Sequence, residues 1–123
     1  MTANFVAVHP VLPVRNVNHA LAYYGEKLGF TRMFQDAPEN PAYAGIRRGG
    51  VELHLQWHDE ASFDVVEKLS LRFVMENVDA LFVEYEPQGV FHDKTAVRDT
   101  PWGTREFAFY DPDGNGLTFY QDL

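Results

Sequence analysis

From Val11 onward the chain alternates between two hydrophobic periods, and the alternation happens twice. Val11–Val14 reads as a short apolar strand, followed by Asn16-Val17-Asn18 and then apolar residues at Val17, Ala20, Leu21 and Tyr24. From Leu71 the same order returns: Leu71–Met75, then Asn77-Val78-Asp79, then Val78, Leu81, Phe82 and Tyr85. Both apolar sets have the i, i+3, i+4, i+7 spacing of one helix face, and each begins beside an Asn or Asp suited to capping a helix N-terminus. The offset between the two sets is 61 positions, 77 minus 16. Each predicted helix stops near a glycine, Gly29 or Gly89.

Period-two stretches and turns follow each helix. In the first half they cover Thr31–Gln35, Ala42–Arg47 and, past the Arg48-Gly49-Gly50 turn, Val51–Trp57. In the second they cover Gly89–His92, Thr104–Tyr110 and, past Asp113-Gly114-Asn115, Leu117–Gln121. The pattern predicts an α+β fold of two βαβββ repeats forming curved mixed sheets. Repeat one spans about 5–57 and repeat two about 69–122, joined by a polar linker over 58–68. Neither half closes its own sheet, so the halves must pair within one chain or between chains. Pro10 interrupts what would otherwise be one strand from Phe5 to Val14, which a proline permits only at an edge or an exchange point.

Composition narrows the function classes. A chain of 123 residues is one domain's worth. Without cysteine it has no disulfide framework, no thiolate metal site and no cysteine nucleophile. Eighteen acidic residues against ten basic ones, net −8, argue against nucleic acid, because phosphate binding needs a basic surface. They suit a cationic ligand. No cationic and apolar leader precedes Phe5, and no run approaches the ~18 apolar residues of a membrane span, so a cytoplasmic protein without a membrane partner is expected.

Catalytic patterns are missing from the sequence: no Gly-x-Ser-x-Gly, no phosphate-cradling glycine loop and no His-Glu-x-x-His occur. A binding surface has more support. Phe34, Tyr43, Trp57 and Trp102 fall near loop or strand ends, with Asp36, Glu39, Asp59 and Glu60 interspersed. Flat heteroaromatic cations bind by this chemistry, in which stacking supplies area and carboxylates set the sign of the field. Trp102 stands out, held on the Pro101–Gly103 loop before the strand through Arg105, Phe107 and Phe109.

The two βαβββ units resemble the vicinal oxygen chelate superfamily. The resemblance is carried by His9-Pro10-Val11-Leu12-Pro13-Val14-Arg15-Asn16-Val17, the Tyr24-x-x-x-Leu28-Gly29-Phe30 helix end, and the Pro-Trp-Gly-x-Arg-Glu-Phe…Asp-Pro-x-Gly-Asn stretch. It covers about Val8 to Tyr120, and within the superfamily the chain is most similar to the bleomycin resistance proteins. The resemblance implies a small acidic homodimer that sequesters a cationic aromatic antibiotic without chemistry and without a cofactor. It also implies an N-terminal arm hinged at Pro10 that crosses to the second subunit. Phe34 and Trp102 match aromatics lining the family's ligand groove, and Tyr43 matches a third. The alternative it implies is a metal-dependent enzyme of the glyoxalase/dioxygenase kind acting on a small oxygenated substrate.

Superfamily enzymes place metal ligands on equivalent strands of both repeats. Here those positions are His9, His54 (or Glu52, one alternation away), Ser70 and Thr118. Glu52, His54 and Gln56 share one strand face, which leaves the choice among them to register. Ser70 and Thr118 are poor ligands, since their hydroxyls keep their protons, so His9 and His54 would form only half a site. No metal is therefore expected. The ligand site is expected to comprise Phe34, Asp36, Tyr43, His54, Trp57 and Trp102, with no catalytic residue.

Overall fold

The computed structural model describes all 123 residues. Strand β1 (Val11–Val14) leads into α1 (Val17–Ala22), which runs on through a π-helical turn, Tyr23–Lys27. Strands β2 (Thr31–Gln35), β3 (Tyr43–Arg48) and β4 (Val51–Trp57) follow as an antiparallel meander. β4 returns beside β1 and runs parallel to it, which gives the order β1-β4-β3-β2. After a linker containing α2 (Glu60–Val65), the arrangement repeats. Strand β5 (Ser70–Val74), helix α3 (Val78–Tyr85) and strands β6 (Arg98–Asp99), β7 (Thr104–Tyr110) and β8 (Gly116–Asp122) form a second sheet of order β5-β8-β7-β6.

Both helix starts are capped as their sequences predict. The side chain of Asn16 accepts from the His19 N–H and that of Asn77 from the Ala80 N–H, each such cap contributing roughly 1 kcal/mol. The helix-ending glycines, Gly29 and Gly89, adopt positive φ of 80° and 71°, a region that costs a residue with a Cβ but not glycine.

Alternation decides which side chains form the core. Leu12, Val14, Ala44, Ile46, Leu53 and Leu55 are at most 1% exposed on the inner face of the first sheet. Phe73, Phe107, Phe109, Leu117 and Phe119 are buried on the inner face of the second, where Phe119 stacks on Phe73 with ring centroids 4.8 Å apart. One apolar core joins both repeats. The opposite face of each sheet carries no helix and is left open. No helix is long and apolar enough to cross a membrane.

Two segments depart from the sequence pattern. Gly89–His92 is not a strand, and β6 has only two residues, Arg98–Asp99. Side chains take over the outer edge of β7 instead: Thr95 Oγ1 donates to the Ala108 carbonyl at 3.0 Å, and the Tyr110 N–H donates to His92 Nε2 at 2.8 Å. The linker is not merely polar. Asp59 caps α2, and Phe63 is buried between the Arg15 guanidinium, 4.0 Å from its ring centre, and the Lys68 ammonium at 3.9 Å. Strand β1 keeps the expected bounds, Val11–Val14, and Phe5, Val6 and Val8 stand almost fully exposed ahead of it.

Candidate functional site

The open face of the first sheet holds a compact aromatic and polar cluster. In β4 the core takes Leu53 and Leu55, so Glu52, His54 and Gln56 all point to the open side. Directly across the β3–β4 ladder, Tyr43 pairs with Gln56, Gly45 with His54 and Arg47 with Glu52.

Phe34 reaches this face through a break in the β2–β3 register. Arg32 lies opposite Ile46, but Phe34 lies opposite Gly45, so Met33 is an extra residue in the ladder. Regular pairing would set Phe34 against Ala44 on the core side; the bulge re-aims it outward. Gly45 then makes room, because a Cβ at that position would overlap the Phe34 ring. The ring lies edge-on to His54, with centroids 5.3 Å apart and 86° between planes, and nearly parallel to Tyr43 at 6.3 Å. A single glycine within an apolar strand was the available signal for such a close approach, and the sequence reading did not use it.

Glu52 and His54 both face the cluster and bond to each other, so register does not select one of them. His54 Nε2 lies 2.8 Å from Glu52 Oε2, and His54 Nδ1 lies 2.6 Å from the Tyr43 hydroxyl. Arg47 donates to Glu52 Oε1 at 2.9 Å, and His9 Nδ1 approaches Oε2 at 3.5 Å. The hydrogen bond from His54, followed by that from Arg47, holds the Glu52 carboxyl below the ordinary carboxylate range.

The remaining expected site residues fall elsewhere. Asp36 is a loop clamp: its Oδ1 accepts from the N–H groups of Ala42 (2.9 Å) and Tyr43 (3.3 Å), and so sets the base of Tyr43. Trp57 has core-side parity at the end of β4 and, half exposed, lines a separate recess of about 310 Å³ with Arg15, Asn16, Asn40 and Pro41. Trp102 sits on the turn between β6 and β7 of the second sheet. It is 63% exposed on the turn closed by Gly103 at φ 89°, and it pairs with none of the aromatics of the first sheet. The largest recess, about 480 Å³, runs between Phe30, Arg48 and Val51 of repeat one and Phe73, Met75 and Tyr85 of repeat two, away from the aromatic cluster.

The second sheet's open face differs from the first. Glu106 is buried there, accepting from Thr104 Oγ1 (2.8 Å) and from Arg72 (3.1 Å), whose guanidinium caps the Tyr120 ring at 4.3 Å. The sequence reading passed over Glu106, since a carboxylate in a Thr-Arg-Glu-Phe strand shows no partner until Arg72 is folded beside it.

His9, Glu52 and His54 offer three donor atoms within 4.8 Å of one another. They do not reproduce the superfamily's four-ligand set. Ser70 and Thr118 lie in the second sheet, beside Gly116 and Arg72, and bring only hydroxyls. Within the first sheet, both nitrogens of His54 and both oxygens of Glu52 already have protein partners.

Fold and cluster together define a two-repeat sheet protein with an open aromatic face. Residues 6–119 match the model of the Glyoxalase/Bleomycin resistance protein/Dioxygenase superfamily, and the chain belongs to that family. It is 27% identical to a bleomycin resistance protein of Geobacillus stearothermophilus over 129 aligned residues, covering 93% of this chain and 95% of the relative. Among solved structures it resembles the bleomycin-binding protein of the bleomycin producer Streptomyces verticillus, complexed with copper(II)-bleomycin, at 30% identity and a TM-score of 0.79, covering 96% of this chain and 97% of that one. The bleomycin resistance determinant of transposon Tn5 shares the fold at 23% identity and a TM-score of 0.79, covering 96% and 98%.

Proposed function

We propose that this protein binds and sequesters a cationic aromatic antibiotic of the bleomycin type, in the cytoplasm, without catalysing a reaction and without a metal or cofactor of its own. The observation that carries this reading is the Phe34–Tyr43–His54 cluster displayed on an uncovered sheet face, in a chain 30% identical to a protein solved with bleomycin bound. Exposed aromatics held in place by a bulge, a glycine and a relay of hydrogen bonds form a preorganised stacking surface, which keeps the cost of ordering on binding low.

One chain supplies only one wall. Phe34 lies in the first sheet and Trp102 on the turn that leads into the second, and in our reading a ligand touches Phe34 of one copy and Trp102 of another. The proposed assembly is therefore a homodimer, with each groove formed between the first sheet of one protomer and the second sheet of its partner. Val74 (68% exposed), Tyr110 (61%) and the arm residues Phe5 and Val6 are the apolar surface such an assembly would cover.

Isothermal titration of bleomycin into the protein tests the reading. Saturable binding at one drug per groove is expected, and its absence below about 100 μM, roughly 5.5 kcal/mol of affinity, excludes sequestration of this drug.

A further inference from the structure

The contacts of His54 define the direction of every hydrogen bond in its chain. Glu52 is a carboxylate and can only accept, so the proton in the 2.8 Å contact between Glu52 Oε2 and His54 Nε2 sits on the nitrogen. A neutral imidazole protonated at Nε2 has only a lone pair at Nδ1. The 2.6 Å contact with Tyr43 is then donated by the phenol. Tyr43 has one proton, and His54 takes it. What the phenol oxygen has left to offer a ligand is a lone pair.

Other contacts hold this polarity in place. Arg47 anchors Glu52 at 2.9 Å and keeps its second oxygen on His54. Asp36 fixes the Tyr43 backbone, and Phe34 packs against both the Tyr43 and His54 rings.

We propose that the Arg47–Glu52–His54 relay makes the Tyr43 hydroxyl an obligate hydrogen-bond acceptor toward the groove, so that the ligand group seated beside Phe34 is an N–H donor: a protonated amine, an amidinium or an amide N–H. Glu52 and His54 are positioning residues that act through Tyr43. The inference rests on the sequestration reading only in taking a flat cation as the occupant. It adds a rule of selection, because stacking and charge alone would accept any aromatic cation, whereas an acceptor phenol prefers one that brings a proton.

Two probes of equal charge separate the effects. Benzamidinium carries N–H donors, and phenyltrimethylammonium carries none. Both are titrated into the full-length protein at pH 8 and followed by amide 1H–15N shifts. Benzamidinium is expected to bind about tenfold more tightly, the size of one hydrogen bond to a charged donor. Tyr43→Phe is expected to collapse that ratio to within about twofold, judged against the same constants. Glu52→Gln, which frees the tautomer, should reduce the ratio in the parent and do nothing more in the Tyr43→Phe background. Should Glu52→Gln disturb the sheet, Tyr43→Phe carries the test by itself, its fold verified in the same spectra.

Long-range 1H–15N spectra of His54, recorded without any ligand, should show Nε2 protonated and Nδ1 bare. Equal affinities for the two cations, no saturable shift with either, or equal weakening of both by Tyr43→Phe would each overturn the proposal. So would a doubly protonated ring at pH 8, or a stoichiometric divalent cation that His54→Ala removes, since a cation needs the Nε2 lone pair. Bleomycin takes no part in these measurements, so a failure to bind the drug and a failure of the polarity rule are separately visible.

Discussion

Tyr24 and Tyr85, 61 positions apart (85 minus 24) on equivalent faces of the two repeat helices, each send a hydroxyl into the other half of the molecule. Both side chains are 1% exposed. Tyr24 donates to Asp111 Oδ2 at 2.7 Å, in the β7–β8 turn of repeat two. Tyr85 donates to the Leu28 carbonyl at 2.7 Å, where the first helix ends, beside Arg48 of the β3–β4 turn. The repeat thus folds into a reciprocal latch. Asn115 completes the first arm by accepting from the Leu69 N–H and donating to the Pro13 carbonyl and to Asp111.

The two arms should respond differently to the same deletion. Tyr24→Phe takes the phenol donor from the buried Asp111 and is expected to cost about 1–3 kcal/mol. Tyr85→Phe leaves the Leu28 carbonyl with its 2.8 Å bond from Arg48 and is expected to cost under about 1 kcal/mol. Urea unfolding of both variants measures the difference, and equal costs would refute the latch as described.

Alkaline stability follows from the same pair. Burial pushes the Tyr85 phenol up to about 12 from an ordinary value of 10.0. Tyr24 rises well above the ordinary value, through burial and then the facing Asp111 carboxylate. A native pKa above the unfolded one stabilises the fold fully below the unfolded value and loses that contribution as pH climbs to the native value. Stability set by these groups should hold to about pH 10 and fall between there and about pH 12, as circular dichroism followed against pH would measure. An absorbance step near pH 10 in the folded protein that Tyr24→Phe or Tyr85→Phe removes would contradict it.

Gly45→Ala tests the preorganised face. A Cβ at that position overlaps the Phe34 ring, so the ring must move. Affinity for bleomycin should drop about as far as in Phe34→Ala, on the order of 1–3 kcal/mol, with circular dichroism unchanged. Retained affinity would mean that Phe34 is not a stacking anchor.

The two tryptophans should separate. Trp102→Ala is expected to weaken drug binding about 5- to 150-fold, at ~1.4 kcal/mol per tenfold. Trp57→Ala, in its own recess with core-side parity, should change affinity by less than about threefold, within the usual range of a distant surface substitution. Titration calorimetry on both variants decides, and the reverse order would move the groove to the Trp57 recess.

Assembly is testable by mass. Light scattering at micromolar concentration should give twice the 14.1 kDa chain mass, and removal of residues 1–9 should shift it toward one. A monomer in the parent protein, or a dimer indifferent to the deletion, would reject the arm as part of the interface.

Periodicity alone determined much of this molecule. The two helices, their Asn caps, their terminal glycines and seven of the eight strands are local consequences of residue spacing, which is why Asn16 and Asn77 could be read in advance. The duplication likewise made the two-sheet architecture legible, and alternation placed Glu52, His54 and Gln56 on one face before any fold was known. Tertiary structure decided what those residues do. Phe34 faces the open side of the sheet because Met33 is bulged and Gly45 lacks a Cβ, and a one-residue slip in pairing register leaves no trace in the alternation of β2 itself. Trp57 and Asp36 looked like ligand contacts by composition. The parity at the end of β4 sets Trp57 at a recess of its own, and two backbone N–H groups bond Asp36. Glu52, His54 and Tyr43 were separate candidates in the sequence, and only strand pairing across β3 and β4 joined them into one hydrogen-bonded chain. Hydrogen-bond direction depends on partners brought together over sequence distance, so it is written in the fold and not in the residue pattern.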